Sequence, residues 1–218
     1  MLAAAALRMD ETLDPPEAGE STGEGELLAR CRADDPAAFR ELYLAHRHRV
    51  WGVVARMISN EADREEVVQE VFLQVFRSLS GFKRSAKLST WVHRVAVNVT
   101  LQHIRKKGRR VKLHLMESPP PAAPAGPSGD EPYSPEEGLL QGHRREAVER
   151  ILESMAPKKR VVLVLADFMG KSSREISEIV DTGALTVRTR LFYARKEFYG
   201  RLSREPSFDG LGPFGDDE

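Results

Sequence analysis

The sequence of 218 residues contains a single cysteine, Cys31, so it cannot form an internal disulfide. A lone thiol is typical of a protein from a reducing compartment, and we expect Cys31 to be an ordinary helix residue. No apolar stretch approaches the ~20 residues needed to cross a bilayer, and no basic residue precedes the short apolar run near the start. The sequence therefore predicts a cytoplasmic protein without membrane insertion or a signal peptide.

Catalytic and metal-binding motifs are also missing. The six histidines show neither the HExxH pattern nor the Cys/His spacing of zinc sites. A phosphate-binding loop and the glycine fingerprint of dinucleotide-binding domains are absent too. The sequence therefore predicts no metal, no cofactor and no enzymatic activity.

The 33 basic and 33 acidic residues balance, but they are segregated along the chain. From Arg77 to Lys112 there are eleven Lys or Arg residues and no Asp or Glu. The first 26 residues hold seven acids and one base, and five acids with no base occur from Glu205 onward. A basic block of this length is expected to attract a polyanion.

Apolar residues recur with a helical period along most of the chain, and no alternating β pattern appears. Asp34-Asp35-Pro36 supplies an N-cap and a proline at the first helical position. Asn60 and Ser89 can cap two further helices. The sequence therefore predicts an all-α protein.

Segments rich in proline and glycine divide this chain. The run SPPPAAPAGPSGDEPYSP cannot form a packed element and predicts a flexible linker over residues 113–137. Helical domains are expected over residues 25–112 and 138–203. Residues 1–24 predict a disordered acidic extension, and residues 204–218 an acidic tail. We expect two small helical domains on a proline-rich tether.

The segment 171–196, KSSREISEIVDTGALTVRTRLFYARK, is typical of a helix-turn-helix. A short amphipathic helix with Ile176 and Ile179 is followed by a turn at Asp181-Thr182-Gly183. The apolar face of the second helix carries Val187, Leu191, Ala194 and Phe198. Its other face is basic and rich in hydroxyl groups, which suits the major groove of DNA.

Two motifs in this order, separated by the linker, resemble the bacterial sigma factors of the extracytoplasmic-function group. The first is DREEVVQEVFLQVFRSLSGFK at residues 63–83, followed by a basic helix. The second is TVRTRL at residues 186–191 within the helix-turn-helix. The resemblance implies two domains, called region 2 and region 4, and a transcription initiation factor rather than an enzyme.

The resemblance also implies three sets of binding residues. One set, on a helix with grouped carboxylates, is expected to bind core RNA polymerase: Asp63, Glu65, Glu66, Gln69 and Glu70. A second set is expected to read the promoter element near position −10 and to help open the duplex. It comprises Phe82, Lys83, Arg84, Ser85, Lys87, Asn98, Gln102, Arg105 and Lys106.

The third set is expected to read the element near position −35 as duplex DNA. It comprises Ser173, Arg174, Thr186, Arg188, Thr189, Arg190, Phe192 and Lys196. Arg188 can reach a guanine edge with two hydrogen bonds, whereas Phe192 could either touch a thymine methyl group or pack inward.

The resemblance implies a monomer when free, which binds promoter DNA and core polymerase through the coiled coil of its largest subunit and through its flap. It also implies control by an anti-sigma protein. Two alternatives stay open at the level of the sequence. One is an autonomous helix-turn-helix regulator that needs no core polymerase, and the other is a helical adaptor for protein partners.

Overall fold

A computed structural model of the chain describes residues 22–82, 87–114 and 135–208, and within these ranges it contains helices and no strand. The prediction of an all-α fold is confirmed. The α-helices of the described ranges are α1 (Thr22–Arg32), α2 (Pro36–Met57), α3 (Glu61–Ser78), α4 (Leu88–His114), α5 (Pro135–Ser154), α6 (Pro157–Leu163), α7 (Ser173–Ile179) and α8 (Ala184–Leu202). None of the described helices is long and apolar enough to span a bilayer.

Helices α1 to α4 form the N-terminal bundle, in which α2 packs against each of the other three. The Asp35 side chain accepts a hydrogen bond from the amide of Ala37 and caps α2, with Pro36 at its first position. The Asn60 side chain caps α3 in the same way through the amide of Asp63 at 2.9 Å. Both predicted caps are confirmed, because capping depends only on residues next to each other in sequence.

The start of α4 differs from the prediction. Ser89 was expected to be its N-cap, but the helix begins at Leu88, and the amide of Trp91 bonds to the carbonyl of Lys87. Leu88 is buried in the core of the bundle, so packing fixes the first turn two residues earlier than a cap at Ser89 would. The carbonyl of Ser89 instead accepts a hydrogen bond from His93.

Helices α5 to α8 form the C-terminal unit, in which α8 packs against α5, α6 and α7. A single π-helical turn, Val164–Phe168, continues α6, and a 3₁₀ turn, Pro206–Phe208, brings Phe208 onto α5. Ser172 and Glu175 form a reciprocal capping box at the start of α7. The helix-turn-helix expected from the sequence is therefore present as α7 and α8.

The bundle and the C-terminal unit pack against each other, and their apolar residues form one continuous core. The buried Arg64 of α3 forms an ion pair with Glu149 of α5 at 3.2 Å. The guanidinium of Arg56 lies over the Phe168 ring, 5.2 Å from its centre. We call this packed arrangement the closed state.

Arg160 of α6 connects the two halves most directly. Its buried guanidinium donates hydrogen bonds to the carbonyls of Met57 at 2.7 Å, Glu153 at 2.5 Å and Met155 at 3.2 Å. Met57 is the last residue of α2, whereas Glu153 and Met155 lie at the end of α5. Carbonyls at a helix C-terminus lack helical partners and carry partial negative charge, so one cation stabilises both helix ends.

Candidate polymerase and DNA interfaces

The face of α3 predicted to bind polymerase is exposed to solvent. Glu65, Glu66, Gln69 and Glu70 all point away from the core. Leu73 lies three residues after Glu70 on the same face and is 46% exposed, although the sequence pattern had not singled it out. The arrangement offers carboxylates next to an apolar contact, which suits a basic helical partner.

Asp63 differs from the other members of this predicted set because it faces α4. Its carboxylate pairs with Lys107 at 2.5 Å and with His103 at 3.7 Å. Burial raises the pKa of Asp63, but the hydrogen bond and charge of Lys107, with help from His103, bring the pKa below its usual value. The structure therefore shows Asp63 joining two helices of the bundle, apart from the exposed carboxylates.

The predicted −10 residues of α4 lie on its exposed surface: Asn98, Gln102, Arg105 and Lys106. Arg94 belongs to the same face, because it lies one turn before Asn98. The sequence indicated Arg94 only as part of the basic block. Its spacing of four residues from Asn98 is the sequence signal that places it on the DNA-facing side of α4.

The loop before α4 holds the other residues predicted for the −10 element. Phe82 is only 7% exposed and packs against Trp91, with 5.1 Å between the ring centres. Arg32 donates a hydrogen bond to its carbonyl at 2.8 Å, so Phe82 belongs to the bundle core in this state. Lys87 is exposed. Lys83, Arg84 and Ser85 lie outside the described residues.

Helix α8 buries one side and exposes the other. The buried side carries Val187, Leu191, Ala194 and Phe198, as predicted. Among the predicted −35 residues, Arg190 is half-buried, and the others on this helix are exposed: Thr186, Arg188, Thr189, Phe192 and Lys196. Phe192 is 63% exposed, so of the two orientations left open by the sequence, the structure has the ring pointing outward.

Arg195 of α8 is held in place by Asp167 within the C-terminal unit. Its guanidinium bonds to Asp167 at 2.6 Å, and the hydroxyl of Tyr199 donates to the same carboxylate at 3.2 Å. Burial, together with the charge of Asp167, raises the pKa of Tyr199 to about 12. Arg195 therefore orients α8 and is distinct from the basic residues that face solvent.

The remaining predicted −35 residues lie at the start of α7. Ser173 is half-buried, whereas Arg174 is exposed and forms an ion pair with Glu178 at 3.8 Å. The turn after α7 places Asp181 in the left-handed region, with φ of 51°. The amide of Thr182 then bonds to the carbonyl of Ser177, which completes the usual cap of a helix C-terminus.

In the closed state this turn lies against the start of α4. Asp181 forms an ion pair with Arg94 at 3.2 Å. A groove between the two halves is lined by Trp91 and Arg94 on one side and by Asp181 and Gly183 on the other. The two surfaces predicted to read DNA therefore meet at one end.

The bundle also contains two buried histidines, His93 and His46. His93 on α4 is 2% exposed and its Nδ1 bonds to the Ser89 carbonyl, while no described residue offers a hydrogen bond to its Nε2. Burial, with Lys171 and Arg49 nearby, lowers the pKa of His93 to about 4. Burial also lowers the pKa of His46 to about 4. Over the residues that the structure describes, no three potential metal ligands cluster together.

Comparison with known proteins gives consistent matches for both halves of the chain. The family model for sigma-70 region 2 matches residues 42–110, and that for sigma-70 region 4 matches residues 145–198. The ECF RNA polymerase sigma-E factor of Escherichia coli K12 is 31% identical over 178 residues, which cover 78% of this chain and 89% of that protein. The chain belongs to the ECF sigma factors. The RNA polymerase sigma-H factor of Pseudomonas aeruginosa is 27% identical to this ECF sigma factor over 181 residues, which cover 78% of this chain and 89% of that protein.

Solved structures share the fold of this ECF sigma factor. CnrH, in complex with the cytosolic domain of CnrY, superposes with a TM-score of 0.59 at 18% identity, over 83% of this chain and 97% of CnrH. The sigma factor RpoE of Bartonella quintana, in complex with the anti-sigma factor NepR, also gives 0.59, at 16% identity over 76% of this chain and 96% of RpoE. The region 2 and region 4 matches correspond to most of the bundle and of the C-terminal unit.

Proposed function

We propose that this ECF sigma factor binds core RNA polymerase, directs it to promoters with specific −10 and −35 elements, and promotes opening of the DNA. The proposal rests on the presence of three exposed helix faces in one chain. The faces of α4 and α8 are basic, and the face of α3 is acidic. Basic helical faces suit DNA, whereas the acidic face repels DNA and suits a basic protein surface. An autonomous DNA-binding regulator does not need the acidic face.

The polymerase contact is assigned to Glu65, Glu66, Gln69 and Glu70. Leu73 follows them on the same exposed face, so docking a basic helical surface would bury an apolar side chain next to charged ones. Asp63 contributes indirectly, because its pairing with Lys107 and His103 fixes α3 against α4.

Contact with the −10 element is assigned to the exposed face of α4. Arg94, Asn98, Gln102 and Arg105 follow one another along this face at intervals of three or four residues. Amide groups can hydrogen-bond to the edges of unpaired bases, and the arginines can bind phosphates. Lys106 is exposed beside them and adds positive charge for the backbone.

The closed state is incompatible with reading both elements at once. Positions −10 and −35 are 25 base steps apart, which is about 85 Å of duplex at ~3.4 Å per step. In the closed state Arg94 of α4 contacts Asp181 beside α8 at 3.2 Å. We therefore propose that the bundle and the C-terminal unit separate when the factor engages a promoter.

Control by a protein partner fits this requirement. The related folds of CnrH and RpoE were solved bound to the cytosolic domain of CnrY and to the anti-sigma factor NepR, respectively. We propose that an anti-sigma protein binds this chain and favours a state in which the promoter-reading faces are unavailable. The groove beside Trp91 and Arg94 lies between the start of α4 and the turn that precedes α8.

The function is tested by transcription in vitro with purified core polymerase, this protein and a genomic library from its source. We expect discrete start sites that require both proteins. Glu66→Lys and Glu70→Lys together should abolish these starts and core binding while leaving the thermal unfolding curve intact, because both residues are exposed.

Glu146→Lys is the control for charge reversal as such, since it replaces one exposed glutamate on α5 with lysine, as each of the two substitutions on α3 does. It should leave the starts unchanged. If the protein binds specific DNA tightly without core polymerase, and if core polymerase adds no new starts, the sigma function is wrong and an autonomous regulator is favoured.

A further inference from the structure

The outer side of α8 carries an apolar stripe, and one of its residues, Leu185, was not among those predicted to read DNA. Leu185, Thr189 and Phe192 lie within about 60° of one another around the helix axis, since each residue turns it by about 100°. This direction is opposite the buried residues of the same helix, such as Val187 and Leu191.

The stripe is strongly exposed. Leu185 is 77% exposed and Phe192 is 63% exposed, the highest values for large hydrophobic side chains among the described residues. The Tyr193 ring packs edge-on against Phe192, with 5.4 Å between ring centres, and so supports its outward position. The hydroxyl of Thr189 donates to the carbonyl of Leu185 at 3.1 Å, so its hydrogen is not available to a base.

Cationic side chains surround this stripe. Arg188 and Lys196 on α8 are exposed, as is Arg174 on α7. The one acidic residue of Ala184–Leu202, Glu197, is paired with Lys159 and Arg201, each at 2.8 Å. A partner complementary to this surface therefore carries many negative charges and also presents small apolar groups.

Duplex DNA has both properties, because phosphates flank a major groove in which each thymine presents a C5-methyl group. We propose that Leu185, together with Phe192, selects thymine in the −35 element through contact with these methyl groups. Leu185 is the second residue of α8, and the N-terminal residues of a recognition helix are those that approach base edges. The inference rests on the proposed function and adds a specificity residue to it.

Replacing thymine with deoxyuridine tests the contact, because deoxyuridine pairs identically and lacks only the methyl group. The −35 element is first selected from random duplexes with the core–sigma complex, and each thymine is then replaced singly. We expect the Kd of the complex to rise about fourfold at one or two thymines, as for the loss of one buried methyl group. Leu185→Ala should remove this difference at one thymine, and Phe192→Ala at another.

Lys196→Ala is the control, since loss of a phosphate contact should weaken binding to both duplexes equally and preserve the uridine effect. Melting curves check that Leu185→Ala folds. This inference is overturned if deoxyuridine leaves the Kd unchanged at every thymine, or if both alanine variants keep the full deoxyuridine effect. Neither result overturns the proposed function. If the complex binds no −35 element at all, both are overturned.

Discussion

At the scale of single residues, Arg160 shows how one buried cation stabilises an all-α protein. It bonds to carbonyls that the ends of α2 and α5 leave without helical partners. Hydrogen bonds from a charged donor contribute more than neutral ones, and a buried carbonyl without a partner costs about 1–3 kcal/mol. Arg160 therefore contributes more to the stability of the fold than its position on a seven-residue helix suggests.

Replacing Arg160 with leucine should lower the free energy of unfolding by about 3 kcal/mol, because several buried carbonyls lose their donor. Urea unfolding measures the loss. Arg204→Leu, which removes an exposed arginine, is the control and should change stability by less than ~0.5 kcal/mol. A small loss in Arg160→Leu would mean that water replaces the guanidinium.

The buried histidines predict a specific dependence of stability on pH. The pKa values of His46 and His93 are lowered from 6.5 to about 4, so between these values the unfolded chain binds protons that the folded chain does not. Stability contributed by the neutral rings is complete above pH about 6.5 and is lost as pH falls towards 4. Arg49, Lys171 and Glu175 are the charged groups that act on His93, and the two cations oppose its protonation.

The expected slope is about 1.4 kcal/mol per pH unit for each histidine. Urea unfolding between pH 4 and 8 should therefore give a flatter profile for His93→Gln than for the unmodified protein. His48→Gln, at an exposed position on α2, should keep the original profile. Parallel profiles for all three proteins would contradict the role of His93.

At the scale of elements, the turn between α7 and α8 uses an aspartate where the backbone favours glycine. Asp181 has φ of 51°, a conformation that costs a residue with a Cβ roughly 1–2 kcal/mol. Asp is among the residues that tolerate it, and here its carboxylate also pairs with Arg94. The unusual turn therefore serves both the helix-turn-helix and the contact between the two halves.

Asp181→Ala and Asp181→Gly form a matched pair, because both lose the ion pair and only alanine keeps the backbone strain. We expect the alanine variant to be less stable by about 1 kcal/mol. Thermal or urea unfolding of the two proteins decides this. Equal stabilities would mean that the turn relaxes to another conformation.

Features that depend on neighbouring residues were predictable from the sequence. The caps at Asp35 and Asn60, the helix-turn-helix and the buried side of α8 are of this kind, because they follow from local hydrogen bonds and helical period. The pairing of Asp63 with Lys107 and the burial of Phe82 were not, since each depends on how distant segments pack. Leu185 was missed because an apolar residue is read as core unless its direction is known.

At the scale of the whole molecule, the closed state joins α4 to the turn that precedes α8 through Arg94 and Asp181. Cysteines at these two positions can be joined by a cleavable linker about as long as the original ion pair. We expect the linked protein to lose promoter-directed transcription, because about 85 Å must separate the two elements on DNA. Cleaving the linker should restore transcription to the level of the same double-cysteine protein that was never linked.

The same double-cysteine protein with two separate, unlinked labels is the control for the loss of Arg94 and Asp181. Cys31 is buried and should not react under native conditions. Full transcription by the linked protein would contradict the proposed separation of the two halves.

The shared bonds of Arg160 also determine how gradually the molecule can open. One side chain binds helix ends from both halves. Because hydrogen bonds weaken steeply with distance, its hydrogen bonds to Met57 and to the end of α5 are either formed or broken. We therefore expect the proposed opening to be a switch between two forms rather than a continuous hinge. Converting it from 1% open to 99% open requires a ligand that prefers the open form by about 10⁴-fold. Core polymerase and promoter DNA together would have to supply this preference, and a partner that binds the closed form would raise the preference they must supply.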